Sequence, residues 1–150
     1  LKNIYIMFTV KSFNFHEKEY AALAFSIRDK VFVQEQKVDR EEEYDSHEEE
    51  SRHYLIYADG VAAGTARWRK TDNGIKLERF AILPAFRKQG AGITLVKTVL
   101  ADVLVFNKTI YLNSQVTAMN LYRRAGFKEE GDLFYEANIP HYKMTYQPTS

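Results

Sequence analysis

Two hairpin signals set close together, Asp59-Gly60 and Asn73-Gly74, constrain this chain more than any other feature. The tightest hairpin turn needs positive φ at both central residues, a conformation that Asp-Gly and Asn-Gly pairs reach at little cost. The flanking runs Tyr54 to Ala58, Val61 to Lys70 and Ile75 to Leu83 are rich in strand formers. Three consecutive antiparallel strands are therefore expected at the centre of the sequence. Pro84 ends the third, because it has no N–H to give to a ladder.

The period changes on either side of this meander. Leu1 to Val10 reads as a strand. From Glu17, residues Tyr20, Leu23, Ala24, Ile27 and Val31 recur at helical spacing, which predicts an amphipathic helix to about Gln36. After Gly90 and Gly92, the residues Ile93, Val96, Leu100, Val103 and Leu104 repeat that spacing. Thr109 to Asn113 returns to a strand. Ala118, Leu121, Tyr122 and Ala125 mark a short helix, and Gly126 stands where a C-terminal cap belongs. Phe127 and the stretch Phe134 to Met144 supply the last strands. The order β-α-β-β-β-α-β-α-β-β defines a mixed α/β domain, expected to occupy residues 1–150 as one unit.

Charge and composition narrow the function. The net charge is +1, with 21 basic and 20 acidic residues, so neither nucleic acid nor an anionic membrane is expected as the main partner. Hydrophobic stretches such as Val99 to Phe106 are too short or too charged to span a bilayer. With 0 Cys, the chain has no disulfide, no thiolate metal site and no cysteine nucleophile. The composition suits a cytoplasmic protein. His47, His53 and His141 lack tight ligand spacing, and no metal is expected.

The segment Arg87-Lys88-Gln89-Gly90-Ala91-Gly92 lies between a strand and a helix. Unpaired N–H groups and a partial positive charge gather at a helix N-terminus. Glycines let a phosphate approach the backbone, and two basic residues add charge, so the segment suits a pyrophosphate. It is neither a Walker loop nor a G-x-G-x-x-G turn. A plain basic loop would read the same way in isolation.

Context supplies more. Leu77-Glu78-Arg79-Phe80-Ala81-Ile82-Leu83-Pro84 followed by Arg87-x-x-Gly90-x-Gly92 resembles the acetyl-CoA motif of the GNAT superfamily of N-acetyltransferases. Leu112-Asn113-Ser114-Gln115, Ala118, Leu121-Tyr122 and Gly126-Phe127 resemble that family's later strand and helix. Arg28, Val31-Phe32-Val33, Glu35-Gln36, Asp45, His53, Leu77-Glu78-Arg79 and Ile139-Pro140-His141 are similar to the ElaA-like branch. The chain departs from that branch at Val38-Asp39, where Pro is usual, and at Ser114, where Ala is common.

The resemblance implies a central, mostly antiparallel mixed sheet flanked by helices, with acetyl-CoA as acyl donor and a primary amine, small or on a protein, as acceptor. A homodimer would be ordinary for such a fold. Backbone groups of Phe80, Ala81 and Ile82 would hold the pantetheine. Arg87, Lys88, Gln89, Gly90, Ala91, Gly92 and Ile93 would hold the pyrophosphate, with Asn113, Asn120 and Arg123 at the cofactor's other side. Asp45, His53, Glu78 and His141 would face the acceptor.

Acetyl transfer needs a neutral attacking amine and a proton for the leaving thiolate. Tyr122 is the expected donor, although it also fits the apolar stripe of Ala118, Leu121 and Ala125. Glu78 is the expected base: strand alternation sets it beside Phe80 and Ile82, and burial would raise its pKa. It equally fits a substrate anchor, or a salt bridge to Arg67 or Arg69. The acidic run from Asp39 to Arg52 is either a solvated loop or an attractor for a cationic substrate. Without Cys, an acetyl-cysteine route is closed, and direct attack in a ternary complex follows. The rival reading is an acyl-CoA-binding sensor or regulator. It would be disfavoured if Glu78 and Tyr122 lined the same cavity as the phosphate loop.

Overall fold

A computed structural model describes residues 5–148. Its first strand, β1 (Phe8–Phe13), begins later than the apolar start of the sequence suggests; residues 1–4 of the expected strand lie outside the described residues. Helix α1 (Lys18–Arg28) turns Ala24 and Ile27 inward, as the spacing predicts, together with Ala21, while Leu23 of the predicted stripe is exposed. The helical path then widens into a π-helical turn over Asp29–Glu35, in which the Gln36 N–H reaches back to the Val31 carbonyl at 3.0 Å. Such wide turns are rare and cluster at functional sites. This one keeps Val31 buried. The acidic run forms a single helical turn, α2 (Arg40–Glu43).

The central meander is present as β2 (Arg52–Ala58), β3 (Val61–Thr71) and β4 (Gly74–Ile82). Asp59 (φ 47°) and Gly60 (φ 83°) form the first turn, both left-handed as a tight hairpin requires. The second is shifted by one residue. Thr71 pairs with Gly74, so Asp72 and Asn73 occupy the turn and Gly74 opens β4.

Helix α3 (Ala91–Val103) carries the chain across to β5 (Ile110–Gln115), which lies parallel to β4. Helix α4 (Met119–Arg124) precedes the hairpin of β6 (Phe127–Glu136) and β7 (Ile139–Tyr146). The sheet order is β1-β2-β3-β4-β5-β7-β6, and every neighbouring pair except β4–β5 is antiparallel. One apolar layer packs α3 and α4 on the sheet through Leu95, Val96, Val99, Ile75, Leu77 and Leu112. A second packs α1 on the opposite face through Phe13, Ala24, Ile27, Leu55 and Ala81.

Two irregularities open the sheet where these layers meet. The parallel β4–β5 ladder holds only from Ile75 and Ile110 to Leu77 and Leu112, after which the strands part. Arg79 adopts φ 60°, and the β3–β4 register slips between Arg67–Glu78 and Thr65–Ala81. An extra residue at such a bulge reverses the alternation beyond it.

Candidate active site

The gap between β4 and β5 forms one cavity of about 760 Å³. Glu78, Phe80, Ala81 and Ile82 line one wall, and Leu112, Asn113 and Gln115 the other. Beyond Leu77, β4 has no strand partner on this side, so its backbone edge offers groups to a ligand's amides, apart from the Ile82 carbonyl that Arg87 holds.

At one end lies the loop before α3. Lys88 (φ 63°) and Gly90 (φ 97°) are both left-handed, and Gly90 is the N-cap of α3. A side chain at Gly90 would be strained by its φ, although only a Phe8 ring atom lies near, at 3.7 Å. Arg87, Lys88, Gly90, Gly92 and Ile93 line the cavity. Gln89 is exposed, with its amide on the Ala85 carbonyl at 3.3 Å, and Ala91 is packed in the core. Asn113 lines the cavity; Asn120 and Arg123 do not. Arg123 bonds Asn120 at 2.9 Å and pairs with Glu129 on the exposed face of α4, outside the cavity lining.

Arg87 is more committed than its sequence suggests. Its guanidinium grips Glu35 through two hydrogen bonds at 2.7 and 2.6 Å, while its Nε donates to the Ile82 carbonyl at 2.9 Å. Lys88 is therefore the loop's free charge. Nearby, Gln115 donates to Gln36 at 2.7 Å, joining the end of the π-helical turn to β5. Nothing in the sequence paired these residues, because the contact depends on the wide turn.

Tyr122 projects from α4 into the same cavity, edge-on to Phe80 and Phe127. Burial alone pushes its phenol pKa up, so it is a neutral O–H at physiological pH.

Of the roles open to Glu78, the geometry has the salt bridge to Arg67 and Arg69 and leaves no free carboxylate for a base. The bulge at Arg79 puts it opposite Arg67 and on the α1 face, whereas Phe80 and Ile82 face α3. Its Oε2 accepts from Arg67 Nε at 2.7 Å and from Arg69 Nε at 3.0 Å, and Lys76 Nζ stands 3.3 Å from Oε1. Burial would raise its pKa, but the three cations win and hold it down at about 2. A carboxylate so engaged does not accept a proton near neutrality.

Of the acidic run, Glu42, Glu43 and Asp45 line the cavity, but Glu43 and Asp45 are taken up by arginines. Glu43 and Glu48 turn inward to the fully buried Arg28, at 2.6 and 2.9 Å. Asp45 and Glu48 hold Arg67, at 2.7 and 2.6 Å. Asp45 lines the cavity but is spent on Arg67 and, at 3.3 Å, Arg79, which together hold its pKa well below the usual carboxylate range. The remaining Glu41, Glu42, Glu49 and Glu50 are exposed. Buried arginines on apolar faces were the signal for this network.

The histidines separate. His53 is buried away from the cavity, stacked on Phe13, and its Nε2–H donates to the Glu48 carbonyl at 2.9 Å; the expectation that it meets the acceptor fails on position. His141 lines the cavity. Its Nδ1–H donates to the Ile139 carbonyl at 2.7 Å, which leaves Nε2 with the free lone pair, 3.7 Å from Glu136. Among the described residues no three His, Asp or Glu side chains converge as metal ligands.

A seven-stranded mixed sheet split between parallel strands, with a glycine loop at a helix start and a buried tyrosine at the split, defines an acyl-CoA N-acyltransferase fold. Residues 14–148 match the acetyltransferase (GNAT) domain family. The uncharacterized N-acetyltransferase YjcF of Bacillus subtilis (strain 168) is 36% identical over 123 residues, covering 81% of this chain and 88% of that protein. Escherichia coli ElaA superposes with a TM-score of 0.83 at 23% identity, over 94% of this chain and 100% of that one. A GNAT family acetyltransferase from Elizabethkingia anophelis, solved with acetyl-CoA bound, gives 0.66 at 14%, over 94% and 98%. The chain belongs to the GNAT acetyltransferase family and is an acyltransferase.

Proposed function

We propose that the chain moves an acetyl group from acetyl-CoA to a primary amine by direct attack in a ternary complex. The observation that carries this is the continuity of one cavity from the left-handed Lys88–Gly90 loop, along the unpaired edge of β4, to Tyr122 and His141.

The residues present fit acetyl-CoA. The parted strands leave backbone groups of Phe80 to Ile82 for pantetheine amides, and the N–H groups at the start of α3, with Lys88, suit a pyrophosphate. When bound, acetyl-CoA supplies the acyl thioester. His141 Nε2 takes the proton from the acceptor ammonium, because its other nitrogen is fixed on the Ile139 carbonyl and Nε2 keeps its lone pair. Tyr122 Oη, which lines the same cavity, gives a proton to the departing sulfur, and the second proton shed by the amine nitrogen restores the phenol. Glu78 holds Arg67, Arg69 and Lys76 in position and touches no proton.

Acetyl-CoA titration followed by melting temperature tests this, beside Gly90→Glu. At a hundred times its dissociation constant a ligand adds about 2.7 kcal/mol of stability. The parent should show the rise and the variant should lose it, because the new carboxylate meets the anion where the loop would bind it. A folded parent without any rise at millimolar acetyl-CoA would overturn the proposal.

A further inference from the structure

Two cations at the acceptor end of the cavity, Arg69 and Lys76, share a single carboxylate, Glu78. On the α1 face of the β3–β4 ladder, the rung beyond Arg67–Glu78 pairs Arg69 directly with Lys76. Like charges directly opposite each other destabilise a sheet unless an anion sits between them. The anion within reach is Glu78, and it is already shared with Arg67. Across the whole network Arg28, Arg67, Arg69, Lys76 and Arg79 face only Glu43, Asp45, Glu48 and Glu78.

The surplus sits at the cleft. Arg28 and Arg67 are sealed in the interior, each between two or more carboxylates. Arg69 and Lys76 line the cavity with side chains only 16% and 18% exposed. Arg69 gives its Nε to Glu78, and its two terminal nitrogens have no hydrogen-bond partner among the described residues. A half-buried guanidinium with two free parallel donors, beside an ammonium, is the geometry that grips a carboxylate.

We propose that Arg69 and Lys76 bind a carboxylate carried by the acceptor itself, so that the substrate is an amino acid or a similarly small carboxylate-bearing amine. This rests on the acetyl-transfer reading above. The opposite charge has its own place, because Glu136 lines the cavity beside His141 and suits the ammonium of the same zwitterion. A polycation such as spermidine would instead meet Arg69, Lys76 and Arg79, with Glu42 and Glu136 as the cavity carboxylates not engaged by an arginine.

The experiment offers the full chain, with acetyl-CoA, the common amino acids, their carboxamides and spermidine, and follows thiol release. At least one amino acid should be turned over, and its carboxamide should lose about tenfold or more in kcat/KM, the loss expected for one charge-assisted hydrogen bond. Arg69→Gln and Lys76→Met should each raise KM for that amino acid by a similar factor, while kcat and the acetyl-CoA-induced melting shift stay near parental values. Calorimetric titration of the same amino acid into the coenzyme A-loaded chain should show the same weakening without any turnover. Lys76→Met keeps the test decisive if Arg69→Gln fails to fold, because Lys76 stands outside the hydrogen bonds to Glu78. Equal use of carboxamide or spermidine, unchanged KM in Lys76→Met, or no amino acid accepted while acetyl-CoA still raises the melting temperature would overturn the carboxylate assignment alone. Loss of the acetyl-CoA shift in the parent would instead overturn the acetyl-transfer reading beneath it.

Discussion

Arg87 and Glu35 face each other in a two-point ion pair, with Nη1 and Nη2 at 2.7 and 2.6 Å from the two carboxylate oxygens. The pair ties the π-helical turn after α1 to the segment after β4, and it neutralises a cation that the sequence assigns to phosphate binding. Glu35→Gln should release that charge. Because both groups are about 40% exposed, stability should fall by less than about 1 kcal/mol. Coenzyme A should bind a few-fold tighter at low ionic strength, and the gain should fade in about 1 M salt. Calorimetry at two salt concentrations checks this; weaker binding at low salt would mean that the bridge shapes the site and does not restrain it.

Tyr122→Phe keeps the ring and its contacts with Phe80 and Phe127 but removes the O–H. Acetyl-CoA should bind as before while kcat falls about a hundredfold or more, the usual worth of a positioned acid. His141→Gln should lower kcat similarly without weakening acetyl-CoA binding, since Nε2 is the only atom of the imidazole not fixed on the Ile139 carbonyl that can take the amine proton. Steady-state rates, with calorimetric titration of acetyl-CoA, check both variants.

Glu78 should matter for stability more than for proton transfer. Glu78→Gln leaves Arg67, buried to 1%, and its neighbours short of a counter-charge, and breaking a buried pair in this way costs about 3–5 kcal/mol. Urea unfolding at pH 7 measures it. The pH dependence has a definite sign. The folded pKa, about 2, lies below the ordinary 4.5, so the unfolded chain takes up the proton first. The contribution is complete above about pH 4.5 and is lost as pH falls toward 2. Asp45, also depressed, acts in the same direction. Glu43 opposes them, since burial outweighs Arg28 and Arg79 and raises its pKa.

His53 gives a second window. Burial lowers its pKa below the ordinary 6.5, against the pull of the Glu48 carbonyl and carboxylate and with the help of Arg28 and Arg67. The unfolded state therefore binds a proton that the folded state refuses, and stability falls as pH drops below about 6.5. Unfolding midpoints between pH 7.5 and 5.5 should decline in the parent and decline less in His53→Gln. An equal slope in both would remove His53 as the cause.

Local chemistry made much of this protein legible. The Asp59-Gly60 turn, the helical spacings of α1 and α3 and the strand runs fix the element order, because turns and amphipathic periods act within a few residues. The glycine loop before α3 and the tyrosine on α4 were visible for the same reason. The β6–β7 hairpin was blurred, since its turn uses Ala137 and Asn138 at positive φ in place of glycine.

What the tertiary structure alone decided is which side each strand residue faces and which charges meet. One inserted residue at Arg79 moved Glu78 from the Phe80 and Ile82 face to that of Arg67, and so made an expected base into a counter-ion. Asp45 read as an acceptor-facing acid, and Glu43 and Glu48 as part of a solvated loop or a cation attractor, until the fold brought Arg28 and Arg67 against them. Alternation is a local rule that a single bulge reverses, and ion pairing between distant elements is legible only where strands are adjacent, as for Glu78 with Arg67 and Arg69. The same two facts leave Arg69 and Lys76 side by side at the cleft, where the order of residues alone gave no reason to look.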